Sequence, residues 1–136
     1  MKYILEIKDK AIAKGRPRFT KWGGTYTPDR TKNYETMIGL KFKEKYKIEP
    51  SDKPMKAYIV FMFEPPKSLS KKKREKLLLE HYTKKPDIDN LVKSVLDGLN
   101  GIAYIDDAQI TKIKAKKEYG LYDSIYIELE EIEWKF

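Results

Sequence analysis

The sequence predicts a single small α/β domain in which strands and helices share one core. Three observations carry that expectation. The chain has 136 residues, 40% of them hydrophobic. That suits one core, and no stretch has the composition of an interdomain linker, so residues 1–136 are read as one domain. Apolar residues at every second position, the spacing of a strand, occur at residues 2–8 and 125–129. Apolar residues three and four apart, the spacing of a helix face, occur at residues 34–42 and 88–99.

At residues 2–8, Tyr3, Leu5 and Ile7 alternate with Lys2, Glu6 and Lys8, as in a half-buried strand. Residues 14–27 are too rich in Gly, Pro and charge for a core element. Gly23-Gly24, between Trp22 and Tyr26, suits a hairpin turn because glycine tolerates positive φ, and the segment reads as a protruding basic flap. Thr27-Pro28-Asp29 then starts a helix: a cap, a proline at the first position and an acid at the positive end of the dipole. This helix is expected to run to about Tyr46, with Tyr34, Met37, Ile38 and Phe42 on one face, before Pro50 and Pro54.

Residues 57–63 are continuously apolar and rich in β-branched and aromatic side chains, which predicts a central strand covered on both faces. Ser68 or Ser70 caps a short cationic helix over 71–80, with Leu77, Leu78 and Leu79 giving limited apolar contact. Residues 109–117 alternate imperfectly, and Ile125, Ile127 and Leu129 alternate cleanly. With Gly120 between them, these two segments are expected to pair antiparallel.

Charge narrows the class of partner. Lys and Arg number 29 against 21 Asp and Glu, for a net charge of +8, and the acids concentrate at the C-terminal end. Such polarity points to a polyanion, nucleic acid before membrane, although a lysine-rich solvated surface would look the same. No small-molecule substrate is expected. Cysteine is absent, which excludes disulfides and thiolate metal sites and favours an intracellular protein. No apolar run approaches the roughly 20 residues of a membrane span, and the N-terminus lacks a signal-type apolar region, so a cytoplasmic location is expected.

The chemistry concentrates in residues 84–110. Lys84-Lys85-Pro86 leads into Asp87-Ile88-Asp89-Asn90, and a helix follows. On its wheel Ile88, Leu91, Val92, Val95 and Leu99 form an apolar sector, opposite a polar stripe of Asp89, Lys93, Asp97 and Asn100. Asp87 and Asp89 diverge if both are helical. They share a face if residues 85–89 are extended, as Pro86 encourages at Lys85. Carboxylates drawn together stay ionised at neutral pH only when compensated, and Mg²⁺, or Mn²⁺ in its place, would do so through oxygen ligands.

Asp106-Asp107 follows a turn at Asn100-Gly101 that folds the chain back. With His81 the sole histidine, zinc is disfavoured. Lys93, one turn beyond Asp89, could meet a phosphate held by such a metal and offset charge developing on it. Plainer readings stand beside these: helix capping for Asp87 and Asp89, a solvated turn for Asp106-Asp107, and for Lys93 an i,i+4 ion pair with Asp89 or Asp97 worth about 0.2–0.5 kcal/mol.

On these residues the sequence resembles the RusA family of Holliday junction resolvases, small homodimeric endodeoxyribonucleases of bacteria and their phages. The resemblance rests on Lys14-Gly15-Arg16-Pro17-Arg18-Phe19 with Thr25-Tyr26-Thr27-Pro28, on Lys85 to Leu99, and on Asp106-Asp107-Ala108-Gln109-Ile110. Order and spacing agree over essentially the whole domain. The resemblance implies metal-binding Asp87, Asp89 and Asp107, with Asp106 a further member of the cluster, and a catalytic Lys93. It further implies Mg²⁺-dependent paired nicking of four-way DNA junctions, a mixed β-sheet packed by helices, and a homodimer. Some members carry a basic residue directly before the first aspartate, where this chain has Pro86, leaving that role to Lys84 or Lys85.

Phosphate contacts are expected from Lys14, Arg16, Arg18, Lys21 and Arg30 near the flap, and from Lys72, Lys73, Lys84 and Lys85 beside the acids. Phe19, Trp22 and Tyr26 are candidates for stacking at the open centre of a junction. Packing of the hairpin on the core would explain two of those three equally well. Two alternatives keep most of these features: a non-catalytic nucleic-acid-binding module, and a metal nuclease acting on other branched DNA.

Overall fold

A computed structural model describes residues 1–15, 18–26 and 29–133, and of Arg18, Phe19, Thr25 and Tyr26 only the backbone. In chain order the elements are β1 (Lys2–Ile7), β2 (Arg18–Phe19), β3 (Thr25–Tyr26), α1 (Asp29–Lys45), β4 (Met55–Phe63), α2 (Lys71–Leu77), α3 (Ile88–Leu99), a 3₁₀ turn (Asp107–Gln109), β5 (Ile110–Tyr119) and β6 (Ser124–Glu131). Four strands form a mixed sheet in the order β1-β6-β4-β5, with β4 and β5 parallel and the other pairs antiparallel. This is the expected combination of a mixed sheet with packed helices.

The alternation seen in the sequence becomes rows across the sheet. Leu5 stands opposite Ile127, which stands opposite Ile59; Ile7, Ile125 and Phe61 form the next row. These side chains pack with Tyr34, Ile38 and Phe42 of α1 and Leu91, Val95 and Leu99 of α3 in one core. The flap is a two-stranded hairpin in which Phe19 pairs with Thr25 and Arg18 with Tyr26. Its turn is closed by Thr20 N donating to Gly24 O at 2.7 Å, and Gly23 takes the positive φ of +87° that favours glycine. The capping roles expected of Thr27 and Pro28 lie outside the described residues.

Four expectations need correction. Residues 110–119 and 124–131 are not paired with each other, because β4 lies between them. The most apolar strand takes an interior position, between β6 and β5. β5, with Lys112, Lys114 and Lys116 on one side, takes an edge, where charged side chains discourage further strand pairing.

Second, the two faces of β4 are covered unequally. Its residues Met55, Ala57, Ile59, Phe61 and Phe63 are buried in the core with the helices, while on the other face Val60 is buried, Tyr58 and Met62 are half-buried and Lys56 is exposed. Among the described residues that second face is covered by side chains of the sheet itself, such as the edge-on pair Tyr58 and Tyr126 and the ion pairs Lys56–Glu130 and Lys2–Glu128.

Third, the basic helix ends at Leu77, short of Glu80, and Leu79 is 90% exposed. Ser70, not Ser68, supplies the cap, accepting from Lys73 N at 3.3 Å. Fourth, Ile88 lies at the exposed start of α3, and Ser94 and Gly98 are buried where the apolar sector was not expected to extend. The cause is a close crossing of α1 and α3. A Cβ built at Gly98 would lie 2.9 Å from Glu35 O, and one at Gly39 would lie 2.9 Å from Gly98 O. The two backbones therefore nearly touch, and Glu35 of α1 is brought onto the polar stripe of α3.

Candidate active site

Asp87 occupies the N-cap position of α3 in an extended conformation, φ −71° and ψ 141°, and the helix begins at Ile88. The extended approach thus reaches Asp87 but not Asp89, which is already helical. The Asp87 carboxylate makes no capping bond and instead accepts from Lys85 Nζ at 2.9 Å, so helix capping does not account for it. Asp89 lies exposed in the first turn, at the positive end of the helix dipole.

The segment that delivers Asp87 is held from below. Lys117 of β5 lies opposite Phe61, at the end of the apolar row of Ile7, Ile125 and Phe61. Its ammonium donates to Lys84 O at 2.6 Å and Pro86 O at 2.9 Å, and lies 5.3 Å from the centre of the Tyr82 ring. Tyr82 stacks on Phe63 and donates its hydroxyl to Lys85 O at 3.1 Å. The Lys85–Pro86 peptide is cis.

A second set of bonds pins Asp106-Asp107 beside the other end of α3. Asp107 N donates to Asn100 Oδ1 at 3.0 Å. Gln109 accepts from Asp106 N at 2.8 Å and donates to Ser51 O and Lys53 O at 2.7 and 2.9 Å. Lys93 then connects loop and helix, with Nζ 3.0 Å from Asp97 Oδ1 and 3.6 Å from Asp107 Oδ2. Of the two i,i+4 partners left open by the spacing, Asp97 is the one engaged.

Electrostatics follow from these contacts. The hydrogen bond to Asp97 raises the pKa of the Lys93 ammonium, with Asp107 adding to the effect against partial burial. Burial alone would push the Asp97 carboxyl up, but hydrogen bonds from Lys93 and Lys14 outweigh it and hold the group below the usual carboxylate range. Lys14 is likewise opposed by burial, yet Glu35 and Asp97 together raise it. Lys14 thus departs from its expected place as a free surface cation: its ammonium is engaged by two internal carboxylates.

Among the described residues, no three Asp, Glu or His side chains form a cage for an ion. Mg²⁺ does not require one, since it typically takes one or two carboxylates and completes its octahedron with water and substrate phosphate. Asp87, Asp89 and Asp107 are oxygen donors of the type that chemistry uses, with cationic side chains beside two of them, but Asp87 and Asp89 stand at the start of α3 and Asp107 beside its other end, and they are not gathered into one cluster.

Of the expected phosphate contacts, Lys72, Lys73, Lys84, Lys85, Lys21 and Arg30 are exposed. Trp22 at the flap tip is 85% exposed, with Lys21 Nζ 5.3 Å from its ring centre, so core packing does not explain it. Arg16 and the side chains of Arg18, Phe19 and Tyr26 lie outside the described residues. Sequence reasoning missed Lys117 and Glu35, and it placed Asn100 on the polar stripe and Gln109 in the Asp106–Ile110 motif without giving either a bonding role. For Lys117 a signal existed: in the alternation of Ile113, Ala115 and Tyr119 it is the one charge on the inward side.

The chain is 31% identical over 133 residues to the uncharacterized protein YqaN of Bacillus subtilis (strain 168), covering 93% of this chain and 94% of that protein. It is 29% identical over 103 residues to the crossover junction endodeoxyribonuclease rusA of Lactococcus phage r1t, covering 75% of this chain and 73% of the phage protein. The model of the family described as Endodeoxyribonuclease RusA matches residues 10–130, a span that includes the flap, Asp87, Lys93 and the Asp106-Asp107 loop; the chain belongs to the RusA endodeoxyribonuclease family.

Proposed function

We propose that the protein is a Mg²⁺-dependent endonuclease that resolves four-way DNA junctions by paired, symmetrical nicks. The observation that carries this reading is Lys93, whose ammonium bridges the acidic stripe of α3 and Asp107 while remaining half exposed. Asp87, Asp89 and Asp107 would hold the metal, with Mn²⁺ a substitute, and Asp106 adds charge beside them. When bound, the ion would polarise the scissile phosphate and promote attack by water. Lys93 offsets negative charge developing on that phosphate. The exposed lysines of α2, with Lys84 and Lys85, hold the DNA arms through their backbones, and Trp22 stacks where bases are open. A homodimer supplies the two matched cuts that a two-fold junction requires.

The test is cleavage of a synthetic four-way junction, a fork and a linear duplex in Mg²⁺, with products mapped on both strands. Paired symmetrical nicks in the junction are expected, and Asp89→Asn should bind the junction but not cut it. Full nicking by Asp89→Asn would refute the metal assignment. Preferential cutting of the fork would favour the broader branched-DNA nuclease.

A further inference from the structure

Lys93 belongs to a relay of charges whose members Glu35, Lys14 and Asp97 the reaction scheme above does not use. Asp97 Oδ1 lies 3.0 Å from Lys93 Nζ, and its other oxygen, Oδ2, lies 3.0 Å from Lys14 Nζ. Lys14 also donates to Glu35 of α1, and its backbone N donates to Asn90 O of α3 at 2.9 Å. The line Glu35–Lys14–Asp97–Lys93–Asp107 therefore joins α1, the root of the flap, α3 and the Asp106-Asp107 loop. The side chains of Glu35, Lys14 and Asp97 are only 17–20% exposed, so solvent screens them less than an ordinary surface pair.

A lone i,i+4 pair would leave both side chains free to reorient. Here Lys14 fixes one oxygen of Asp97, which leaves the other pointing at a single place for the ammonium of Lys93. Gly98 and Gly39 make the arrangement possible, because only a backbone-close crossing brings Glu35 within reach of Lys14 on this stripe.

We propose that Asp97 is a positioning residue for Lys93, itself aimed by Lys14 at the root of the flap, and that this brace governs the rate of strand cleavage and not the affinity for DNA. The inference rests on the assignment of Lys93 as the charge-stabilising group. It also makes the flap root part of the cutting machinery, coupling the DNA-contacting hairpin to the acidic site.

The experiment is single-turnover cleavage of a four-way junction in Mg²⁺, beside junction binding in EDTA, for wild type, Asp97→Asn, Lys14→Gln, Lys93→Ala and the double variant D97N/K93A. Asp97→Asn should slow cleavage about tenfold or more, the loss of one hydrogen bond to a charged group, with binding within about twofold. Lys14→Gln should slow it by less. The double variant should be no slower than Lys93→Ala, because a residue that acts only through Lys93 has nothing left to position. Rescue of rate by Asp97→Glu would support the same conclusion.

Multiplicative losses in the double variant would overturn the proposal, as would a full rate in Asp97→Asn. Should Asp97→Asn fold poorly in a thermal melt, Lys14→Gln in the wild-type and Lys93→Ala backgrounds gives the same comparison. Failure of the wild type to cut the junction would instead remove the resolvase reading, and a full rate in Lys93→Ala the role of Lys93; the proposal falls with either.

Discussion

Gly98→Ala tests the packing on which the site depends. Intrinsic propensity alone favours alanine in a helix interior by about 1 kcal/mol. The geometry opposes it: the new Cβ would lie 2.9 Å from Glu35 O, 3.2 Å from Glu35 Cα and 3.3 Å from Ile38 Cβ. Two of those atoms are backbone, so no rotamer change relieves the contact, and α1 must move. Overpacking of that kind costs about 3 kcal/mol, which leaves a net destabilisation of about 2 kcal/mol. For a chain of this length each kcal/mol lowers Tm by about 3–4 °C, so the melting point should fall by about 6–8 °C. Circular dichroism melts of the two proteins measure it. A Tm equal to or above that of wild type would show that the helices separate freely and that the close crossing does not constrain Glu35.

Three further outcomes are expected. Trp22→Ala should leave Tm unchanged, since the side chain is exposed, but weaken junction binding by about 1 kcal/mol or more, read by fluorescence anisotropy; unchanged binding would exclude stacking by Trp22. Lys117→Met keeps the stem in the core but removes the donor to Lys84 O and Pro86 O; it should lower stability to urea by about 1–2 kcal/mol and slow nicking by loosening the support of Asp87. Asp97 titrates lower folded than unfolded, so its contribution to stability is present above the ordinary carboxylate pKa and is lost as pH falls through the lower folded value. Melts across acid pH should therefore show a loss below about pH 4 in wild type that is reduced in Asp97→Asn.

How much of the fold was legible depended on how local its determinants are. The alternation of Tyr3, Leu5 and Ile7, the apolar run to Phe63 and the Gly23-Gly24 turn all report the backbone of their own segment, and each forms as expected. Strand partnership is not local. Gly120 suggested that the flanking strands pair, but the apolar β4 takes the place between them, where it pairs on both edges. The apolar run was also read as covered twice, because a wholly apolar sequence does not distinguish a face packed by helices from one shielded by neighbours such as Tyr126.

The candidate site shows the same division within a single helix. Periodicity put Asp89, Lys93, Asp97 and Asn100 on one stripe as equivalents, and it left two partners open for Lys93. What separates them is the distance to α1. Near Gly98 the crossing covers the stripe, so Asp97 is mostly enclosed and receives Lys14 from a point 83 residues away in sequence. At the opposite end Asp89 stays exposed, next to Asp87 and the lysines that lead into it. One polar face thus divides into an enclosed end that can fix a side chain and an open end that can meet a ligand, with Lys93 between them. No spacing rule contains that gradient, since it is imposed by two glycines, Gly39 and Gly98, on neighbouring helices.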